Sequence, residues 1–211
     1  MSRSKPPYQL LSALLQYPDD DLLAARPRIA AAVAGLPRSP ARASLERFLV
    51  TFAAADTVAA QQRYVETFDL QKRSSLYLTY FRHGDTRQRG LSLLRLKRLY
   101  RAAGLVLEGG ELPDYLPVML EFADLAPDGV GPRLLAEHRA GLELLRLHLT
   151  EIQSPYAHLL DAVCAGLPRL RLPDLEEVRR MLREGPPHEE VGLQPYAAAE
   201  AMPGGAEASR A

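Results

Sequence analysis

The sequence predicts an all-α, single-domain helical bundle with a mobile C-terminal tail, and three observations carry that prediction. Isoleucine is limited to Ile29 and Ile152 and tryptophan is absent, while Leu, Ala, Arg and Glu crowd the chain, a composition that favours helix over strand. Apolar residues recur at spacings of three and four, the period of one helix face. No segment shows convincing two-residue alternation, the mark of a half-buried strand.

The elements follow in order from that spacing. Tyr8, Leu11, Leu14 and Leu15 make a first apolar stripe, and Leu45, Phe48, Leu49 and Phe52 a second. Val58, Tyr64, Val65 and Phe68 continue as a third. From Gln88 to Ala103 the apolar set is Leu93, Leu96, Leu99, Tyr100 and Ala103; Arg95, Arg98 and Arg101 share another face, and Gly104 supplies the stop. Asp114 is placed as an N-cap, with Pro117 tolerated in the first turn that follows. Between Pro132 and Ile152 the set Leu135, His138, Leu142, Leu145, Leu149 and Ile152 predicts the longest helix. Ser154 with Pro155 at the first helical position starts another, carrying Leu159, Leu160 and Val163. Asp174 with Glu177 three residues on resembles a capping box opening the last helix, with Leu175, Val178, Met181 and Leu182.

Breaks fall at Pro18 to Asp21, Gly35 to Pro40, Gly109-Gly110, Pro127 to Gly131 and Gly166 to Pro173, each too short to link independent domains. After about Gly185 the composition shifts to Pro, Gly, Ala and Glu, so residues 1–184 are expected to form the helical domain and 185–211 a disordered tail.

Composition narrows the function. With hydrophobic residues at 47% and 26 basic against 26 acidic side chains, the chain is neither a disordered polyelectrolyte nor a general binder of nucleic acid or anionic membranes. The single cysteine, Cys164, cannot form an internal disulfide, and no run approaches the roughly 20 apolar residues of a membrane span, so a cytoplasmic protein is expected. There is no GxGxxG, no phosphate-binding GxxxxGK[ST], no HExxH and no GxSxG. His83, His138, His148 and His158 invite a metal reading, but the last three are spaced by ten residues, which turns successive imidazoles apart on a helix; neither a metal centre nor catalysis is expected.

Two stretches stand out instead. The first is polar and aromatic: Tyr64-Val65-Glu66-Thr67-Phe68-Asp69, Ser74 to Tyr80, and Gly84-Asp85-Thr86-Arg87-Gln88-Arg89-Gly90. Tyrosine joins apolar area to a hydroxyl and arginine stacks or pairs bidentately, so the mix suits a recognition surface. Half-buried tyrosines and an Asp85 helix cap are the plainer account of the same residues. The second runs from Glu111 to Pro117 and on through Leu120-Glu121-Phe122. Here Glu108, Glu111, Asp114, Glu121, Asp124 and Asp128 gather without a Lys or Arg, directly after Arg82, Arg87, Arg89, Arg95, Lys97, Arg98 and Arg101. Either the two segments pair across a helix hairpin, or they line opposite walls of a groove for a mixed-charge peptide.

Taken in this order, the blocks Tyr64 to Asp69, Ser75 to Tyr80, Gly84-Asp85 with Arg87 to Gly90, and Glu111 to Pro117 with Leu120-Glu121-Phe122 closely resemble the nitrate reductase molybdenum cofactor assembly chaperones, or delta subunits. These belong to the all-helical class of redox-enzyme maturation chaperones. The resemblance covers about Tyr8 to Cys164 and implies a helical bundle that holds the apo catalytic (alpha) subunit of respiratory nitrate reductase through its N-terminal segment. The client is kept competent for the bis-molybdopterin guanine dinucleotide cofactor before it docks at the membrane. The chaperone itself is expected to hold no cofactor and to be no enzyme, and proteins of molybdenum cofactor biosynthesis are further partners that the resemblance suggests. The family's Glu-x-x-Asp block falls on Glu111 and Asp114, and Tyr115 stands where relatives serving other reductases often have a histidine, which favours the nitrate reductase branch. The client-peptide surface expected on these grounds comprises Tyr77, Tyr80, Asp85, Arg87, Arg89, Glu111, Asp114, Tyr115, Leu116 and Glu121. Two alternatives accompany this reading: a chaperone of the same fold for a dimethyl sulfoxide or trimethylamine oxide reductase, and a helical regulator using the Arg87 to Arg101 face on nucleic acid. The adjacent acidic segment opposes the latter.

Overall fold

The computed structural model of the chain describes residues 6–107 and 109–187. Helices α1 (Tyr8–Leu14), α2 (Asp20–Ala24), α3 (Arg26–Gly35), α4 (Pro40–Ala54) and α5 (Thr57–Tyr64) come first, and α5 runs on into a π-helical turn, Val65–Asp69. A 3₁₀ turn at Lys72–Ser74 leads to α6 (Leu78–His83) and α7 (Arg87–Ala102). Then come α8 (Leu116–Leu125), α9 (Val130–Glu137), α10 (Arg139–Glu151), α11 (Ala157–Ala165) and α12 (Leu172–Glu184). Among the described residues the sole β-type pairing is an isolated antiparallel bridge between Tyr77 and Tyr115.

The core forms around α11, whose Leu159, Leu160, Ala162 and Val163 are fully buried. The broad apolar face of this helix is covered by α4, α1 and α10, while His158 and Asp161 keep its remaining side at the surface. α1 lies against α8, α8 against α9, and α10 against α12 and α6. The expected stripes supply the inward faces: Tyr8, Leu11, Leu14 and Leu15 from the start of the chain, and Leu45, Phe48 and Phe52 from α4. The third stripe holds at Tyr64 and Phe68, but Val58 is exposed because, two residues from buried Ala60, it falls on the opposite face of α5.

Local chemistry accounts for several helix ends. Asp19, Ser39 and Asp56 accept the N–H of Leu22, Arg42 and Ala59, satisfying donors that a first helical turn leaves open. α7 ends in a Schellman motif: Gly104, at φ +79°, donates to the Arg101 carbonyl and Leu105 to that of Tyr100.

Several expected boundaries move. The long helix expected from Pro132 to Ile152 is two helices parted at His138. There the imidazole Nδ1 lies 3.0 Å from the Leu134 carbonyl that the residue's own N–H would bond in a continuous helix, and that N–H turns to Leu135. α11 starts at Ala157 rather than at Pro155, which sits in the preceding turn. Asp174 is the third residue of α12, not its cap; its carboxylate accepts the N–H of Arg171 at 2.8 Å. Helices α2, α3 and α6 had no stripe to announce them. Of the expected tail, the residues from 188 onward lie outside the described residues, as does Glu108.

Where α8 and α9 cross, a Cβ on Gly131 would fall 2.2 Å from the Ala123 Cα. Alanine is the better helix former, so an open site would gain about 1 kcal/mol from the change. At this crossing backbone would have to move, and Gly131→Ala is expected instead to cost about 1–3 kcal/mol. Urea midpoints of the two proteins check this; an equal or higher midpoint for the variant would show that the helices can part without loss.

Candidate functional site

Two backbone hydrogen bonds build the site. The N–H of Leu78 donates to the Asp114 carbonyl at 3.0 Å and that of Leu116 to the Leu76 carbonyl at 2.8 Å, so the segments entering α6 and α8 lie side by side. Residues alternate across such a pairing. Tyr77 and Tyr115 therefore fall on one side with ring centroids 5.3 Å apart, while Leu76 and Leu116 turn into the core.

The paired tyrosines face a cleft of about 450 Å³. α5 and its π-helical extension contribute Tyr64, Phe68 and Asp69, and α6 contributes Tyr80. Gln71 and Lys72 close the wall beside the 3₁₀ turn, the start of α7 brings Asp85 and Arg89, and the loop before α8 brings Glu111. A π-helical turn adds a residue within a helix and is frequent at functional sites; here it carries Phe68 against Tyr64, centroids 4.9 Å apart.

Arg89 is the best-held charge in the cleft. Its guanidinium carbon lies 5.7 Å from the ring centre of Tyr77 and 5.8 Å from that of Tyr80, within cation–π range. Nη1 is 3.2 Å from Asp85 and Nη2 is 3.6 Å from Asp114. Asp114 is fully buried, and its Oδ2 accepts both the backbone N–H and the hydroxyl of Thr79. Its carboxylate thus caps the first turn of α6 from across the cleft wall and does not cap α8, as its sequence position suggested. Tyr115 precedes α8 with no side-chain cap, and Thr86 precedes α7 likewise, so Asp85 serves Arg89 rather than that helix end. The other Asp114 oxygen, Oδ1, is buried with no partner among the described residues, as is Nε of Arg89.

The phenols form a donor array. Tyr77 donates to Glu111 at 3.4 Å, Tyr64 donates to the Leu15 carbonyl at 3.2 Å, and the Tyr64 and Tyr115 hydroxyls meet at 3.3 Å. Burial, then the charge of Glu111, pushes the Tyr77 phenol up to about 12, and burial raises Tyr64 and Tyr115 as well. All three keep their protons through neutral pH. Tyr100 fixes the acidic loop from behind by donating to the Pro113 carbonyl at 2.6 Å.

Of the expected surface residues, Tyr77, Tyr80, Asp85, Arg89, Glu111 and Tyr115 line this one cleft, and Asp114 lies beneath it. Leu116 is fully buried in the core and offers the cleft no side chain. Arg87 is exposed at the start of α7 and does not line it. Glu121 sits on the outer face of α8, where it accepts from the Ser12 hydroxyl at 3.4 Å, away from the cleft. Sequence reasoning left out Tyr64, Phe68, Asp69, Gln71 and Lys72 as contact residues, although Tyr64 to Asp69 had stood out as a block. Of the two accounts of the opposed charges, Arg89 with Asp114 realises the hairpin pairing, while Arg82 and Arg95 pair with Glu177 and Glu137 of other helices. Among the described residues no group of His, Cys, Asp and Glu could hold a metal ion, and no helix is long and apolar enough to cross a membrane.

The cleft lies within residues 36–162, the part of the chain matched by the family model for the nitrate reductase delta subunit. A nitrate reductase-like protein, NarX, of Mycobacterium tuberculosis is 41% identical over 157 residues, 74% of this chain; the match spans 24% of that longer protein. A probable nitrate reductase molybdenum cofactor assembly chaperone, NarJ, of Bacillus subtilis is 36% identical over 160 residues, covering 76% of this chain and 87% of its own length. The nitrate reductase molybdenum cofactor assembly chaperone NarJ of Escherichia coli is 36% identical over 155 residues, 72% of this chain and 65% of that one.

Proposed function

Since this chain belongs to the nitrate reductase delta subunit family, we propose that it is an assembly chaperone that binds the apo catalytic subunit of respiratory nitrate reductase. Through the N-terminal segment of that subunit it holds the client open for molybdenum cofactor insertion, in the cytoplasm and before membrane docking. The observation that supports this most directly is the cleft itself. Five aromatic rings and a pre-positioned guanidinium surround a space open at the surface. Aromatic and arginine side chains are the usual anchors of peptide recognition, because they add large contact area at little entropic cost.

Such a surface needs no catalytic group. Ordering a client segment costs about 2–5 kcal/mol of the gross interaction energy, which leaves an affinity that a client folding around its own cofactor overcomes by withdrawing the segment. On this reading the chaperone holds no cofactor of its own; the client receives the bis-molybdopterin guanine dinucleotide, delivered by proteins of cofactor biosynthesis.

Calorimetric titration with a synthetic peptide matching the N-terminus of the host's catalytic subunit tests the reading, beside a scrambled peptide. Saturable binding of the true peptide alone, near micromolar and so worth about 8 kcal/mol, is expected. Arg89→Ala, which removes the clamp between Tyr77 and Tyr80, should weaken it about tenfold or more, the range of an interface anchor. Equal affinities for the variant and the parent would move the peptide off this cleft. Failure of the whole apo subunit to co-purify with the chaperone would overturn the client assignment.

A further inference from the structure

Helix α7 has two unlike faces. Leu96 and Tyr100 are buried, and Arg89 on the same side reaches the client cleft. At 3.6 residues per turn, Leu91, Leu94, Arg98 and Arg101 fall within about 80° of one another on the opposite side. Arg95 and Lys97 stand about 40° beyond them, one at each edge. All of these outward residues are exposed, and Leu91 and Leu94 keep 56% and 54% of their surface accessible. Isolated exposed leucines are ordinary. These two lie one turn apart on a single face, with cations along both edges and at its C-terminal end.

The charge of this face is unbalanced. α7 carries six cationic side chains and no acidic one. Arg89 is held by Asp85 and Asp114 on the cleft side, and Arg95 meets Glu137 in a pair more than half exposed at both ends, which contributes little. Among the described residues Lys97, Arg98 and Arg101 have no carboxylate partner. The cleft between α7 and α12 is lined by Arg95 and Arg98 but by neither leucine, nor by Lys97 or Arg101, so most of the face stands clear of it. A convex helix surface of this kind offers a peptide no groove. Leucines set among cations suit the boundary between headgroups and acyl chains, where the leucines leave water and the cations meet anionic headgroups. A basic amphipathic helix is the general sign of such a contact. Nucleic acid would use the cations through its phosphates and gain nothing from the leucines.

We propose that the outward face of α7, from Leu91 to Arg101, is a peripheral contact for anionic membrane lipid. Leu91 and Leu94 reach the acyl boundary, and Arg95, Lys97, Arg98 and Arg101 lie among the headgroups. The zero net charge of the whole chain does not oppose this, because salt confines the attraction to about 8 Å and a bilayer feels only the charge nearest to it. Arg89 lies on the other side of the helix, so contact through this face leaves the client cleft uncovered. The inference stands on α7 alone and holds whichever client the cleft takes.

Flotation of the full chain with lipid vesicles tests this. Vesicles of equimolar phosphatidylglycerol and phosphatidylcholine should carry the protein upward, and phosphatidylcholine alone should not. Arg98→Glu with Arg101→Glu is expected to weaken binding about tenfold or more, since each cation near an anionic leaflet adds to the attraction. Leu91→Ser with Leu94→Ser should weaken it about fivefold or more through the lost apolar insertion. All four positions are exposed, so the fold should persist, which circular dichroism checks. Arg28→Glu with Arg38→Glu, on α3 and the turn after it, makes the same change in net charge on a helix packed against α2 and α4, and should bind as the parent does. Absence of flotation, an equal loss in the Arg28 and Arg38 variant, or binding indifferent to the two leucines would overturn the proposal. Retention of a DNA duplex or of polyglutamate in place of the vesicles would overturn it too, and give the face to a dissolved polyanion.

Discussion

Asp114→Ala is expected to lower the unfolding free energy by about 3–5 kcal/mol, the loss typical of breaking a buried charged pair from one side. The carboxylate is fully buried, accepts two hydrogen bonds from Thr79 and stands 3.6 Å from Arg89. Its removal strands the first turn of α6 and leaves a guanidinium less than one-fifth exposed with, among the described residues, only the surface carboxylate of Asp85. Asp114→Asn keeps the shape and one acceptor, so it should cost less stability while still loosening Arg89. Urea denaturation reads the first effect and client-peptide titration of the folded Asn variant the second. If the Ala variant matched the parent in urea, Asp114 would not be the strut that the buried geometry describes.

Glu143→Ala is expected to cost about 3 kcal/mol, the lower end of the same range because the site reaches solvent on one side. Glu143 accepts from Arg139 at 3.0 Å and from two nitrogens of Arg146, which continues to Asp161 on α11 at 3.3 Å. Without the carboxylate, the guanidinium of Arg139, 11% exposed, has no ion-pair partner among the described residues. The pairing also sets a pH dependence. Burial alone would raise the carboxyl, but the hydrogen bonds and charges of Arg146 and Arg139 outweigh it and hold it below its ordinary value. A group whose folded pKa is depressed binds protons more readily when unfolded. Its stabilisation is therefore complete above the ordinary carboxylate range and disappears as pH falls through the lower folded value. Urea midpoints of parent and Glu143→Gln, measured from pH 7 downward, should converge in acid; a constant gap would assign the effect to packing instead.

How much of this was legible beforehand varies by element. α4 and α7 were readable because Leu45, Phe48 and Phe52, or Leu96 and Tyr100, repeat at helical spacing and are buried as that spacing requires. α3 was not, since Ile29 and Val33 alone face inward and an alanine-rich surface bears no stripe. α6 has six residues, too few to be stable in isolation; a carboxylate 35 positions away satisfies its first turn. Several of the residues the resemblance singled out between Tyr77 and Tyr115 line one cleft. The resemblance could not separate Tyr115 from Leu116, because neighbours in an extended segment turn opposite ways once the Tyr77–Tyr115 bridge sets the register. Nor could it place Glu121, whose helix aims it at Ser12 of α1.

The sequence by itself determined the helical class, the main apolar faces, several helix ends and the family, because periodicity, capping and motif order are properties of residues near one another along the chain. Tertiary structure alone decided that Asp114 supports α6, that Arg89 lies between two tyrosines, and that Arg82 pairs with Glu177 95 positions away. Those choices depend on which of many equivalent charged and aromatic side chains packing brings within a few ångströms. Coulomb and hydrogen-bond energies fall away too steeply with distance for order along the chain to reveal them.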